Sequence, residues 1–300
     1  MTKNEKLLQL LILSLKENSE SMADTKLNEL YRLLKINRDK LLDKINKIYA
    51  DYSVDGVLTI KSSDKKKILS DLMDVVKIQA KSIGTSENTM TDGLLKHVYQ
   101  ETYFQTAFVL STGVSKLKFD MYLDEKLIEK IVMEKVAGSN YSDRIWTNKE
   151  KLATRIQSDI KDILKGNTTI DKASKRIKDT YDVTARESKR LVQNEVTRVY
   201  SAARDTMYRG SNVVKQLLFD ATLDGLTSKI CQRLDGTYYD VDNAISIPGQ
   251  THVSCRSVLV PVVDGWSPST KRENIKNIDG EKPIIDYKQY QDWKNSLLKR

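Results

Sequence analysis

Both cysteines of the chain, Cys231 and Cys255, and one of its two histidines, His252, fall inside one short stretch near the carboxyl end. A thiol, an imidazole and a second thiol, with His252-x-x-Cys255 closing the set, are donors that zinc accepts. A structural zinc site takes four ligands. Here Asp224, Asp235 or a water would have to supply the fourth. Two other uses of the same residues stand beside this one: buried free thiols packed as small apolar groups, or a disulfide. In a reducing cytoplasm the free thiols are favoured. Asp224-Gly225 and Asp235-Gly236 are turn signals, in which Gly supplies a positive φ and Asp caps the turn, so turn chemistry is preferred to catalysis for these acids. His252 follows the Pro248-Gly249 turn and suits a hydrogen-bonded structural role better than that of a base. Arg256 is placed to anchor a carboxylate such as Asp224 or Asp235.

The common catalytic signatures are missing. There is no Gly-rich loop ending in Gly-Lys-Ser/Thr, no His-Glu-x-x-His and no Gly-x-Ser-x-Gly. The enzymatic reading the residues offer is a nuclease, with His252 beside a divalent ion held by Asp224 and Asp235. Lys and Arg outnumber Asp and Glu by 50 to 41, giving a net charge of +9. That surplus favours polyanionic partners through counterion release, or simply forms a mixed, solvated surface. The charges are interspersed, with short basic runs only at Lys65-Lys66-Lys67 and Lys299-Arg300. Non-specific contact with DNA, protecting genome ends, fits this pattern; sequence-specific groove reading does not. No apolar run is long enough to span a bilayer, and Leu7–Leu15 is followed by no cleavage-site pattern, so neither a membrane partner nor a signal peptide is expected. Two cysteines are too few for a disulfide-built secreted scaffold.

The elements that must position these residues follow from proline usage and apolar spacing. All four prolines, Pro248, Pro261, Pro268 and Pro283, lie toward the carboxyl end, which leaves the preceding chain free to form long helices. Leu7, Leu8, Leu11 and Leu15 have helical spacing, and Thr2 with Glu5 has that of a capping box. A break is expected at 17–23, then a second helix through Leu27, Leu30, Tyr31, Leu34 and Leu41. Val54–Leu58 reads as a loop, with helices over about 64–83, 88–112 and 124–136. Gly138–Asp143 reads as a linker, and Thr147 with Glu150 as a capping box opening a helix with the stripe Leu152, Ile156, Ile160, Ile163 and Leu164, stopped at Gly166. A short helix holds Ile170, Ala173 and Ile177. Another, opened by Thr184 with Glu187, carries Val192, Val196, Val199, Ala203 and Met207 and stops at Gly210. Strand candidates are Val213–Phe219, Tyr238-Tyr239 and Val258–Val260. The expected fold class is α+β. A helical body (1–140 and 141–210) precedes a small β-rich Cys/His module (211–266) and a polar tail (267–300) with anchors at Ile284, Ile285, Tyr287 and Trp293.

Thr227-x-x-x-Cys231-x-x-Leu-Asp-Gly236, then Pro248, then His252-x-x-Cys255-Arg256, resembles the carboxyl-terminal signature of the tailed-phage minor head proteins, the Mu F-like head morphogenesis family. Arg144-Ile-Trp146, Leu152, Leu164-x-Gly166 and Arg190-Leu-Val-Gln-Asn-Glu195 resemble its central region, so the likeness covers about 140–263. Many members have Cys-x-x-Cys where this chain has Ser228-x-x-Cys231, and Cys-Arg-Cys where it has Cys255-Arg256-Ser257. Two soft ligands have thus become hydroxyls, which weighs against zinc and toward hydrogen bonds and packing as the glue of the module. No other cofactor is expected.

Glu195 carries over from the family's Arg-Thr-Glu, while Gln193 and Asn194 depart from it. Glu195 lies beside the apolar stripe and needs a cation. Arg198 is the local partner and Arg256 the distant one, and the carboxylate is expected to clamp the helix to the β module. The resemblance implies a non-enzymatic protein of the capsid interior, assembled in the host cytoplasm. Its implied partners are the portal protein, scaffolding or capsid protein, and DNA during packaging or ejection. Some relatives carry a fused toxin or transferase domain, for which residues 267–300 are too few.

Overall fold

The computed structural model describes residues 3–54, 57–113, 123–166, 168–263, 269–277 and 280–297. The chain divides into two compact units, each assembled from separated stretches. A helical unit comprises Asp24–Gly93 and Glu134–Val192; a mixed unit comprises Met1–Ala23, Leu94–Met133 and Gln193–Arg300. The α+β class with a dominant helical part is as expected.

The helices are longer than the sequence pattern suggests. Helix α1 runs unbroken over Lys3–Tyr52, α2 over Ser62–Gly113 and α5 over Ile170–Gly210. The break expected at 17–23 is absent: the stretch has neither Gly nor Pro, Ser19 Oγ donates to the Lys16 carbonyl at 2.8 Å, and Ala23 is buried ahead of Leu27 and Leu30. In α2 the interior Gly84 does not end the helix. A Cβ there would lie 2.6 Å from the Trp146 ring, so the residue is small because Trp146 sits on it. Thr184 opens no helix; its buried hydroxyl donates to the Thr180 carbonyl at 3.0 Å within α5. Thr147 likewise donates to Asp143 O at 2.9 Å. Helix α4, Tyr141–Leu164, starts instead from Asn140, whose Oδ1 accepts from Asp143 N at 2.9 Å while Asp143 Oδ2 accepts from Asn140 N at 3.1 Å. The linker expected at 138–143 is therefore a turn, with Ala137 and Gly138 at positive φ, leading straight into that cap. The apolar stripe of α4 is buried as predicted, and Gly166 adopts φ 81° where the helix stops. The box expected at Thr2, and Pro268 with the start of the tail, lie outside the described residues. Where a loop is expected at Val54–Leu58, β1 (Ser53–Val54) pairs antiparallel with β2 (Val57–Leu58). Helix α3 spans Glu125–Val132.

In the mixed unit, β3 (Val214–Asp220) is the centre of an antiparallel sheet ordered β4-β3-β5, with β4 at Tyr238–Asp240 and β5 at Val258–Val263. Leu217 pairs with Tyr239 on one side and Pro261 on the other. Pro261 is tolerated because β5 is an edge strand. Helix α6, Lys229–Leu234, packs Cys231 with Phe219, Ala221, Ile247 and Cys255 in a small core. The region expected as a polar tail is built into the fold. Strands β6 (Thr270–Arg272) and β7 (Ile284–Asp286) form a hairpin, and α7 (Tyr290–Leu297) places Tyr290 and Trp293 against Leu223.

Candidate structural site of the C-terminal module

A module built on one three-stranded sheet and one two-stranded hairpin cannot satisfy its polar groups by ladder bonds alone, so side chains must do it. Asp224 starts the turn after β3, and its Oδ1 accepts from Leu226 N at 2.9 Å. Arg256, at the end of the His252-x-x-Cys255 loop, grips the same carboxylate through both terminal nitrogens, with Nη2 to Oδ1 at 2.9 Å. Asn274 Nδ2 adds a bond at 2.7 Å. Burial alone would raise this carboxyl's pKa, but the bonds from Arg256, Asn274 and Leu226 outweigh it and hold Asp224 at about 2. Thr227 donates to the Thr222 carbonyl and lies 3.2 Å from Asp224 Oδ1.

Asp235 ends α6 and is buried. Its oxygens receive Ala221 N at 2.8 Å, Tyr290 N, and the ammonium of Lys271 at 2.7 and 2.9 Å. Lys271 also meets Asp220 at 2.9 Å. Burial pushes the Asp220 carboxyl upward against the pull of Lys271. Gly236 follows with φ 80°, and its N–H donates to Phe219 O at 2.9 Å. Two turn acids thus tie the sheet to the chain beyond it.

The structure brings Cys231, His252 and Cys255 together, with one ligand atom from each inside a 4.8 Å spread. The sulfurs are 3.6 Å apart and both thiols are free. Two thiolates on one zinc ion, each at about 2.3 Å in tetrahedral geometry, would stand at roughly this separation. His252 Nδ1 lies 2.9 Å from the Val253 carbonyl, the contact that fixes a ligating imidazole's tautomer. Hydrogen bonding from Cys231 favours the thiolate at Cys255, and Cys231 correspondingly keeps its proton. The donor set therefore fits a soft divalent metal. The fourth ligand expected from Asp224 or Asp235 is not supplied by either, since Arg256 and Lys271 hold them. Ser228 caps α6 by accepting from Cys231 N at 3.3 Å. Cys231 and His252 line a cavity of about 350 Å³ together with the hydroxyl residues Ser228, Ser254 and Ser257.

The loop that carries His252 and Cys255 is held from outside. The Ile247–Pro248 peptide is cis, and Pro248 O accepts from Thr251 N at 3.0 Å. Ser254 adopts φ 60°, a costly conformation for a residue with a Cβ, and its N–H donates to Asn194 Oδ1 at 3.2 Å. Lys16 donates from α1 to the carbonyls of Cys255 (3.3 Å) and Ser257 (3.4 Å); burial lowers its amine to about 8. Arg204 Nη2 donates to Leu259 O at 2.7 Å.

Glu195 meets its local partner, Arg198, at 2.8 Å. Arg198 carries that pair to the end of α3, donating to the carbonyls of Ile131 (2.8 Å) and Val132 (3.0 Å). Arg256, the distant partner considered for Glu195, is bound to Asp224 instead. The bonds from α5 to the module that stand out are those of Asn194, which the sequence marks only as a departure from the family's motif, and Arg204, which it does not mark.

Residues 154–260 match the family described as Phage Mu protein F like protein. Over 264 residues the chain is 24% identical to Minor head protein GP7 of Bacillus phage SPP1, covering 83% of this chain and 85% of that protein. It is also 26% identical over 188 residues to NAD(+)--arginine ADP-ribosyltransferase EFV of Enterococcus faecalis (strain ATCC 700802 / V583), covering 57% of this chain but only 37% of that protein. A computationally designed three helix bundle aligns with a TM-score of 0.15 at 12% identity, over 69% of this chain and 86% of that one, too low to carry an argument. No helix among the described residues is long and apolar enough to cross a membrane.

Proposed function

We propose that this chain is a non-enzymatic minor head protein of the phage capsid interior, which associates with the portal and assists head assembly, DNA packaging or ejection. The observation that carries this reading is the commitment of the module's ionisable groups to one another. Asp224 is consumed by Arg256 and Asn274, and Asp235 by Lys271 and two backbone N–H groups. Acids bound in this way brace a fold rather than hold a metal for strand cleavage. The likeness to a minor head protein over most of both chains supports the same role.

Within this reading Cys231, His252 and Cys255 would hold a zinc ion that staples α6 to the Pro248–Arg256 loop, and the ion would supply folding energy. Metal analysis of the purified chain should find about one zinc per chain, lost in Cys255→Ser; a metal-free chain of unchanged stability would reject the staple. The portal role is tested by co-expression with the portal protein of the same phage. Co-purification of the two is expected, and its failure would overturn the assignment. Metal-dependent nicking of plasmid DNA, abolished in His252→Ala, would favour a nuclease instead.

A further inference from the structure

The helical unit carries a groove whose chemistry the head-protein reading leaves unused. It lies between α1 and α5, with a volume of about 290 Å³. Its rim holds Lys35 and Arg38 on one helix and Arg186 and Lys189 on the other, each pair three residues apart and so on one helical face. Lys35, Arg186 and Lys189 are exposed and enter no ion pair among the described residues. Arg38 is bound to Asp39 at 2.8 Å. Asp182 is the one carboxylate lining the groove. The floor is apolar, made by Leu34, Ala185 and the rings of Tyr31 and Tyr181.

We propose that this groove is a docking site for an acidic, amphipathic segment of a partner protein. Charge complementarity selects an anionic partner, because four cations, three of them unpaired, flank the groove against the single carboxylate of Asp182. The floor selects a protein segment. A helix with Leu or Ala on one face and Glu at its edges sets apolar side chains on the half-buried Tyr31 and Ala185 and carboxylates against both rims. A nucleic acid would use the rim and, of the two rings in the floor, could stack on Tyr31 alone. Tyr181 is only 3% exposed with its hydroxyl given to Gln79 at 3.1 Å, so it offers no face for a base to stack on.

The test uses the full chain and a fluorescein-labelled amphipathic peptide of Glu, Leu and Ala, followed by anisotropy at low and high salt. Binding should weaken as salt rises and fall roughly tenfold in the double variant Lys35→Glu/Arg186→Glu. A matched Lys, Leu and Ala peptide should bind that variant better than it binds the wild type. Lys66→Glu/Lys67→Glu, which changes net charge equally elsewhere, should bind like wild type, and circular dichroism shows whether each variant is folded. Absence of peptide binding, or equal losses in both double variants, would overturn the proposal. So would groove reversal that weakens binding of a single-stranded oligonucleotide while sparing the peptide.

Discussion

The helical unit and the C-terminal module each bury an ion pair, and they use it differently. In the helical unit Lys149 on α4 pairs with Glu87 on α2 and reaches Ser188 on α5 at 3.2 Å. The Glu87 oxygens receive no well-aligned hydrogen bond. The helices around this pair already satisfy their own backbones, so the pair adds charge to a core that apolar stripes hold. In the module, Lys271 faces Asp220 and Asp235, and Asp235 also accepts the backbone N–H groups of Ala221 and Tyr290. There the carboxylate replaces missing secondary structure. A buried pair is thus expendable where regular elements bear the fold, and indispensable where its members stand in for ladder bonds.

The strongest way to break this contrast is Lys271→Met, which leaves two buried carboxylates without their cation. It should cost about 3–5 kcal/mol of unfolding free energy in denaturant titration. The paired replacements sharpen it. Glu87→Leu with Lys149→Met should be neutral or stabilising by about 1–4 kcal/mol, whereas Asp235→Leu with Lys271→Met should remain destabilising by roughly 1–3 kcal/mol for each backbone donor orphaned. Equal outcomes for the two double variants would remove the distinction.

Asp224 gives a smaller, pH-resolved effect. Its folded pKa of about 2 lies below the unfolded carboxylate value, so its contribution is complete above the unfolded pKa of about 3.9 and disappears as pH falls toward 2. The stability gap between wild type and Asp224→Asn should therefore be constant near neutrality and shrink between about pH 4 and pH 2. A gap that stays constant to pH 2 would contradict the paired-carboxylate account. The smallest effects come from two glycines of α2. Gly84→Ala should destabilise by about 1–3 kcal/mol because the Trp146 ring must move. Gly93→Ala, with open space at its Cβ, should stabilise by about 0.5–1 kcal/mol in thermal melts.

These differences track what sequence spacing can carry. The stripe on α4 and the residues Val192 to Met207 on α5 are read directly from period, because each buries one face. A helix start is expected at Thr184 because Thr with Glu187 three residues on has the look of a cap, yet inside α5 its hydroxyl bonds back one turn, as Ser19 does across the break expected at 17–23. The knot of Cys231, His252 and Cys255 and the Arg256 tie were legible from residue types in close sequence. Lys16, Asn194, Arg204 and Lys271 were not, because a lone polar residue far along the chain carries no periodic signal of the partner it will meet. Trp293 and Tyr287 marked the last segment as anchored, but nothing local revealed that Asp235 would cap α7 through Tyr290 N.

The central claim is that side-chain ties, not regular structure, hold the module together. Hydrogen exchange of Lys271→Met, read by mass spectrometry against wild type under native conditions, tests it most directly. The account predicts lost protection concentrated in 214–263 and 280–297, with 24–93 and 134–192 retaining theirs. Protection unchanged in the module, or lost to the same extent throughout the chain, would contradict it.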